Sequence, residues 1–374
     1  MGHATATERD ARHLQRAIEL AAEARGRTSP NPLVGAVVVK AGNVIGEGLH
    51  AALGEPHAER AALEACKEDP AGATLYVSLE PCAHEGRTPP CTEAIAAAGI
   101  ARVVIGSDDP TTKAAGRGPG VLRDEGIEVA FADGDLAAAA RLQNQPFRKH
   151  AKTGRPHVLL KSPMTLDGKV ATHTGDSQWI SGESSRARSH RWRAEADAVV
   201  IGLGTAVADD PQLTARVDGV YRQPQRVVFD SECRLGSDSK LVQTAREAPV
   251  VVVCSRAASR RERRRLEAAG VEILVARGGT EADRVASALE QLGGREIQAL
   301  LLEGGPHLAG AFFDAGEVDE LRLFIATVVA GGREAKTALE GQGVETIARA
   351  QRALSTEVER IDADVLISAR LEEW

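Results

Sequence analysis

Pro81-Cys82-Ala83-His84-Glu85-Gly86-Arg87-Thr88-Pro89-Pro90-Cys91, read together with His57-Ala58-Glu59 upstream, decides how this chain is understood. One imidazole (His57) and two thiolates (Cys82 and Cys91) make a set of borderline-to-soft ligands suited to zinc. Three protein ligands leave the fourth tetrahedral position to water, which is the catalytic rather than the structural arrangement. Such a metal lowers the pKa of water towards neutrality. Glu59, two residues beyond His57 near the start of a helix-forming run, is badly placed as a fourth ligand. It is well placed to reach that water, take its proton and pass it on. His84 is the other candidate ligand and reads as a loop residue. The expectation is one zinc ion per chain on His57, Cys82 and Cys91, with Glu59 as the catalytic acid–base.

The flanking sequence alternates helix and strand. Residues 8–25 form an amphipathic pattern through Leu14, Ile18 and Ala21, stopped by Gly26. Residues 33–39 and 44–48 read as a hairpin about the turn Ala41-Gly42-Asn43. Strands at 74–79, 102–105 and 127–131 are separated by helical runs at 57–66, 92–98 and 118–125. A single helix over 135–150 closes this half, and residues 151–156 read as a linker, which divides the chain into 1–150 and 151–374. The second half starts its own series, with strands at 157–161, 198–201, 226–229, 250–253, 271–275 and 297–302, and late strands at 320–329 and 364–367. Helices are expected at 183–195, 259–269, 281–292 and 306–315. The pattern is that of layered α/β domains.

Composition agrees. A chain of 374 residues exceeds what one hydrophobic core usually supports. Aromatics are only 3% against 43% apolar overall, so the cores must be built from Val, Leu, Ile and Ala, as α/β layers are. A net charge of −7 argues against broad nucleic-acid binding. The basic run Arg260-Arg261-Glu262-Arg263-Arg264-Arg265 reads as a solvated helix face. Five scattered cysteines make no disulfide framework and suit a reducing compartment. Residues 1–10 carry no apolar signal core, and the longest apolar runs, such as 248–254, are too short for a membrane span. A cytoplasmic protein is expected.

Zinc deaminases combine a His-x-Glu element with paired cysteines and use the glutamate as acid–base. Their cysteines usually stand two residues apart, whereas here eight intervene, Ala83 to Pro90. This long-spaced element resembles that of the bifunctional riboflavin-biosynthesis deaminase–reductases. Pro30-Asn31-Pro32-Leu33-Val34-Gly35 and Gly46-Glu47-Gly48-Leu49-His50 resemble the same family's strand–hairpin segment. The resemblance implies an α/β protein whose N-terminal domain is a cytidine-deaminase-like α/β/α layer structure. It implies 2,5-diamino-6-(5-phosphoribosylamino)pyrimidin-4-one as substrate, losing its 2-amino group as ammonia. It further implies that Asn31, His50, Arg87 and Asp109 line the pyrimidine and phosphoribosyl pocket. An amide reads a ring edge with a donor and an acceptor, and an arginine grips phosphate in a forked geometry. Where the family commonly has Asp-Pro-Asn, this chain has Asp109-Pro110-Thr111.

In the second half no Gly-x-Gly-x-x-Gly follows the first strand. Glu303-Gly304-Gly305-Pro306-His307 instead joins a strand to a helix, where glycines allow close backbone approach and the helix start attracts anions. This stretch, with Leu166-Asp167-Gly168-Lys169, Ser177-Gln178-Trp179-Ile180 and residues 205–214, resembles the family's reductase domain, similar in fold to dihydrofolate reductase. The resemblance implies NADPH as cofactor and reduction of the deaminated intermediate's ribose to a ribityl chain. Pro163, Trp179, Thr205, Asp209, Ser231 and Gly305 would contact the cofactor, and Ser177, Arg193, Leu213, Arg216 and Glu303 the substrate. Arg193 and Arg216 are bidentate partners for the phosphate, and Glu303 would orient hydroxyls or manage a proton. A homodimer through the second half, with small phosphoribosyl pyrimidines as partners and neither nucleic acid nor membrane, completes the expectation. The competing reading is a nucleic-acid-editing zinc deaminase with a C-terminal binding module. Two Tyr, three Trp and six Phe with a negative balance supply little stacking surface for it.

Overall fold

The computed structural model describes residues 4–5, 8–85 and 89–374. It divides into two units, one reaching to Thr153 and including Trp374, the other Gly154–Glu373.

The first unit runs β1 (Ala4–Thr5), α1 (Glu8–Ala22), β2 (Gly35–Lys40), β3 (Asn43–Leu49), α2 (Ala58–Glu64), β4 (Thr74–Val77), α3 (Cys91–Ala97), β5 (Arg102–Ile105), α4 (Arg117–Asp124), β6 (Glu128–Phe131), α5 (Gly134–Gln143) and α6 (Gln145–Thr153). Its sheet has the order β1-β6-β5-β4-β2-β3. β1, β6, β5 and β4 pair parallel, and β2 is antiparallel to β4 and β3. Alternate residues of a strand face opposite ways, and here both faces are covered. Ala36, Val38, Leu75, Val77, Val103 and Ile105 pack with Ala58 and Ala62 of α2, Ile95 of α3 and Leu122 of α4. Val37, Val39, Tyr76 and Val104 pack with Leu14, Ala17 and Ile18 of α1 and Ala140 of α5. This is the expected α/β/α sandwich. α2 lies almost flush on β3, because Gly48 has no side chain there: a β-carbon would stand 2.3 Å from the Ala62 nitrogen. That close approach sets where the N-terminus of α2 points.

The single closing helix expected over 135–150 is in fact two helices, and the second continues through Thr153 into the stretch read as linker. Pro146 has no N–H to extend α5, and its ring would clash with the preceding turn. Asn144 occupies the break, buried, with its side-chain oxygen accepting from Leu33 N (2.8 Å) and its nitrogen donating to Leu33 O (2.9 Å).

The second unit runs β7 (His157–Thr165), α7 (Glu183–Glu195), β8 (Ala198–Gly202), α8 (Leu203–Asp209), β9 (Gln225–Phe229), α9 (Lys240–Gln243), β10 (Val250–Cys254), α10 (Arg260–Ala268), β11 (Glu272–Val275), α11 (Glu281–Gly293), β12 (Ala299–Leu302), α12 (Pro306–Asp314), β13 (Glu320–Ala326), β14 (Ser355–Ile361) and β15 (Asp364–Arg370). The sheet order is β11-β10-β9-β8-β12-β7-β13-β15-β14. The first seven strands pair parallel, β15 is antiparallel to β13, and β14 is antiparallel to β15. One face packs on α11 and α12 through Leu289, Leu292, Leu308 and Phe312, the other on α7 and α10 through Trp192 and Leu266. β14 escaped the periodicity reading, since all but the last of its residues are exposed and polar residues dominate both its faces. In α10 the basic run is tied locally: Arg265 pairs with Glu262 at 2.6 Å and donates to the Cys233 and Leu235 carbonyls at 2.9 Å.

Candidate active sites

In the first unit, His57 is the N-cap of α2, Cys91 the first residue of α3, and Cys82 lies in the loop after β4. Their donor atoms converge. His57 Nδ1 is 3.6 Å from Cys82 Sγ and 3.3 Å from Cys91 Sγ, and all three atoms lie within 4.8 Å of one another. A tetrahedral ion with metal–nitrogen and metal–sulfur bonds of about 2.0 and 2.3 Å requires N···S edges of about 3.5 Å, so the set fits zinc. No fourth His, Cys, Asp or Glu joins the group among the described residues, and His84 is exposed.

The surroundings stabilise anionic sulfur. Cys82 Sγ accepts the Cys91 backbone N–H at 3.4 Å, at the start of α3 where N–H groups are unpaired. Its thiol is pulled well below the usual range by its hydrogen bond with Cys91 and by His57, and the Cys91 thiol is correspondingly pushed up. Glu59 is buried in the first turn of α2. Burial first, then the charge of Cys82, raises its carboxyl to about 7, which suits a group that takes up and gives back a proton near neutrality. Arg60, which sequence reading passed over, donates to the carbonyls of Pro89 (3.0 Å) and Pro90 (3.1 Å) and so holds the loop that delivers Cys91.

Asn31 and His50 come together beside this centre. The two rings His50 and His57 are 5.6 Å apart, edge to face. His50 is buried, with Nδ1 3.0 Å from the Pro56 carbonyl and Nε2 3.1 Å from Asn31 Nδ2. A carbonyl only accepts, so Nδ1 carries the proton and Nε2 accepts from Asn31. The amide is thereby oriented, with its nitrogen committed and its oxygen left as an acceptor. Asp109 lies past the end of β5, where its carboxylate accepts the Thr111 N–H at 2.8 Å and its own N–H reaches Glu80 at 3.5 Å. Arg87 lies outside the described residues.

The second unit carries a cavity of about 1580 Å³ at the C-terminal ends of its parallel strands, the usual ligand crevice of such sheets. Pro163, Ser177, Trp179, Arg193, Thr205, Asp209, Leu213, Arg216, Ser231, Glu303 and Gly305 all line it. Gly304 and Gly305 turn into α12 against Thr205: a β-carbon on Gly304 would stand 3.1 Å from the Thr205 hydroxyl. Gly305 has φ 65°, and Pro306 opens the helix. A bare backbone beside a helix start is a cradle for a cofactor's phosphates, so the residues present fit a dinucleotide. Trp179 is 72% exposed on the rim, with the Arg186 guanidinium 4.7 Å from its ring centre.

The cavity's buried charge network was only partly foreseen. Arg193 grips Glu303 bidentately, Nε to Oε1 at 2.6 Å and Nη2 to Oε2 at 2.8 Å, and its Nη1 donates to Thr214 O at 3.2 Å. Lys161, unmarked in the sequence reading, approaches Glu303 at 3.5 Å. Burial alone would push the Glu303 carboxyl up, but Lys161 and Arg193 pull it down to about 2. Of the two roles implied for Glu303, the charged state at neutral pH favours accepting hydroxyl hydrogen bonds over donating a proton. His190, one helical turn before Arg193 on α7, was also missed. A single cation inside a strand of apolar residues, and a histidine three residues from an arginine on one helix face, were the available signals.

Comparison with known proteins agrees in both units. Residues 7–107 match the cytidine and deoxycytidylate deaminase zinc-binding region, and residues 156–367 the RibD C-terminal domain. The riboflavin biosynthesis protein RibD of Actinobacillus pleuropneumoniae is 41% identical over 361 residues, covering 96% of this chain and 95% of that protein. RibD of Escherichia coli K12 is 38% identical over 370 residues, covering 96% and 98%. The crystal structure of a diaminohydroxyphosphoribosylaminopyrimidine deaminase/5-amino-6-(5-phosphoribosylamino)uracil reductase from Thermotoga maritima superimposes with a TM-score of 0.83 at 36% identity, over 97% of this chain and 99% of that one. A RibD structure from Acinetobacter baumannii gives 0.86 at 36% identity, over 98% and 99%. No helix of the described residues is long and apolar enough to cross a membrane.

Proposed function

Because this chain belongs to the RibD family of bifunctional riboflavin-biosynthesis enzymes, a zinc deaminase joined to an NADPH-dependent reductase, we propose that each unit performs one of two successive reactions. The first unit deaminates 2,5-diamino-6-(5-phosphoribosylamino)pyrimidin-4-one, and the second reduces 5-amino-6-(5-phosphoribosylamino)uracil. The observation that supports this most is the convergence of His57, Cys82 and Cys91 beside the buried Glu59.

His57, Cys82 and Cys91 would hold the zinc, which would supply Lewis acidity to the attacking water. Glu59 takes a proton from that water as its oxygen adds to the ring carbon bearing the 2-amino group. It passes that proton to the adjacent ring nitrogen and then carries the added hydroxyl's remaining proton to the departing amine, so the C–N bond breaks, ammonia leaves and a ring carbonyl remains. Asn31, oriented by His50, reads the ring edge, and Asp109 with Arg87 serves the phosphoribosyl arm.

In the second unit NADPH is the two-electron donor when bound. Thr205, Asp209, Ser231, Trp179, Pro163 and the Gly305 turn hold it against the substrate. Ser177, Leu213 and Arg216 seat the substrate, and Glu303, kept ionised by Arg193 and Lys161, accepts its ribose hydroxyls. The chain's main task here is alignment of donor and acceptor carbons. A homodimer formed through this unit and a cytoplasmic location belong to the same reading.

A coupled assay with the purified chain tests it. Ammonia release from the diaminopyrimidine is expected, followed by loss of reduced-nicotinamide absorbance on the uracil product. Deamination of tRNA or single-stranded DNA with no action on the free pyrimidine would overturn it.

A further inference from the structure

Among the arginines that line the second unit's cavity, Arg193 and Arg216 are used differently by the structure. Arg193 spends three donors inside the protein, two on Glu303 and one on the Thr214 carbonyl. Arg216 is exposed, and among the described residues no carboxylate lies within ion-pair distance of it. What holds its guanidinium is His190, whose Nε2 is 2.9 Å from Arg216 Nη2. A guanidinium can only donate, so the ring beside it is the acceptor in this contact and is not an imidazolium. The Arg216 backbone N–H also points at the ring, donating towards Nδ1 from 3.4 Å. The ring is therefore seated flush on Arg216. A neutral imidazole aims Arg216 without neutralising it, which a carboxylate in the same place would not do. The neighbourhood favours the neutral form, since burial and then Arg193 and Arg216 lower the ring's pKa to about 4.

We propose that His190 is the positioning residue of the reductase's phosphate site, holding Arg216 aimed at the substrate phosphate while Arg193 stays committed to Glu303. The inference rests on Arg216 as the phosphate ligand of the function proposed above, and deepens it by dividing the labour between the two arginines.

Steady-state reductase kinetics on 5-amino-6-(5-phosphoribosylamino)uracil and its dephosphorylated counterpart separate the possibilities. Arg216→Ala should raise KM about a hundredfold on the phosphorylated substrate and leave the dephosphorylated one nearly unaffected. His190→Ala should raise KM about tenfold on the phosphorylated substrate alone, with kcat changed far less. His190→Gln, whose side-chain oxygen accepts from Arg216, should recover most of that loss. The double variant should be no worse than Arg216→Ala, because the histidine acts through the arginine. Thermal melting and ammonia release from the same chain check that each variant is folded. If His190→Ala impairs both substrates equally, or adds in full to Arg216→Ala, the positioning role is wrong. If Arg216→Ala treats the two substrates alike, the phosphate reading itself fails and the proposal falls with it.

Discussion

Glu59 in the first unit and Glu303 in the second are both buried carboxylates at the heart of a site, yet their protonation is driven in opposite directions, up to about 7 and down to about 2. Burial works against the charged form in both. The difference lies in partners: Glu303 has Arg193 at 2.6 Å and Lys161 at 3.5 Å, while the group nearest in effect to Glu59 is the Cys82 sulfur, which adds negative charge. One carboxyl is left able to exchange a proton, the other is locked as an anion. Pairs of acids pushed apart by environment reveal their assignments. Here the carboxyl that moves a proton belongs to the hydrolytic unit, and the fixed anion belongs to the unit whose chemistry depends on alignment.

The sharpest way to break this contrast is Glu59→Gln. Ammonia release should fall on the order of a thousandfold, while NADPH oxidation on the uracil substrate continues at the parental rate. A parallel fall in both activities would contradict two independent sites. Cys82→Ser comes next: metal analysis should show about one zinc per chain in the parent and far less in the variant. Unchanged metal content would remove Cys82 from the ligand set. Chelator treatment should likewise silence ammonia release and spare NADPH oxidation. The third effect is on stability. Glu303→Gln strands Arg193 and Lys161 without their counter-charge and should cost about 3 kcal/mol, read as an earlier melting transition of the second unit. Glu59→Gln, which removes a carboxyl that burial disfavours, should melt no earlier than the parent. Equal destabilisation by the two amides would mean the carboxylates are not differently partnered.

The two sites were also unequally legible. His57, Glu59, Cys82 and Cys91 fall within 35 residues, and their chemistry is distinctive enough that type and spacing alone pointed to a catalytic metal. Most strands and helices of both units followed from Val-rich runs and glycine stops. What sequence reading lost was carried by single side chains reaching across the fold. Asn144, bonded to the Leu33 backbone 111 positions away, and Pro146 split a helix that periodicity read as continuous. Arg60 looked like an ordinary polar residue on an Ala-rich helix. In the second unit the cavity is assembled from residues spread between Leu160 and Glu340. No one segment is diagnostic there, so only the resemblance to a family gathered them. Lys161 and His190 were missed because their meaning is in the partners, Glu303 and Arg216, that the sequence sets far away.

The smallest expected effect is a pH slope on the second unit's stability, and it follows from the neutral state of His190. The ordinary imidazole value is 6.5 and the folded value is about 4. Between these limits the unfolded chain binds a proton that the folded chain refuses, so stability rises with pH across the window. The contribution is complete above about 6.5 and is lost as pH falls through about 4. Because the ring is only partly buried, the effect should be modest, on the order of 1–2 °C in melting temperature. Melting of the parent and of His190→Gln from pH 7 to pH 4.5 isolates it, since every other titrating group is common to both. The parent should lose more on acidification than the variant. Parallel curves would mean that the imidazole is not held neutral in the folded state, and that the hydrogen bond from Arg216 to Nε2 is not what keeps the guanidinium in place.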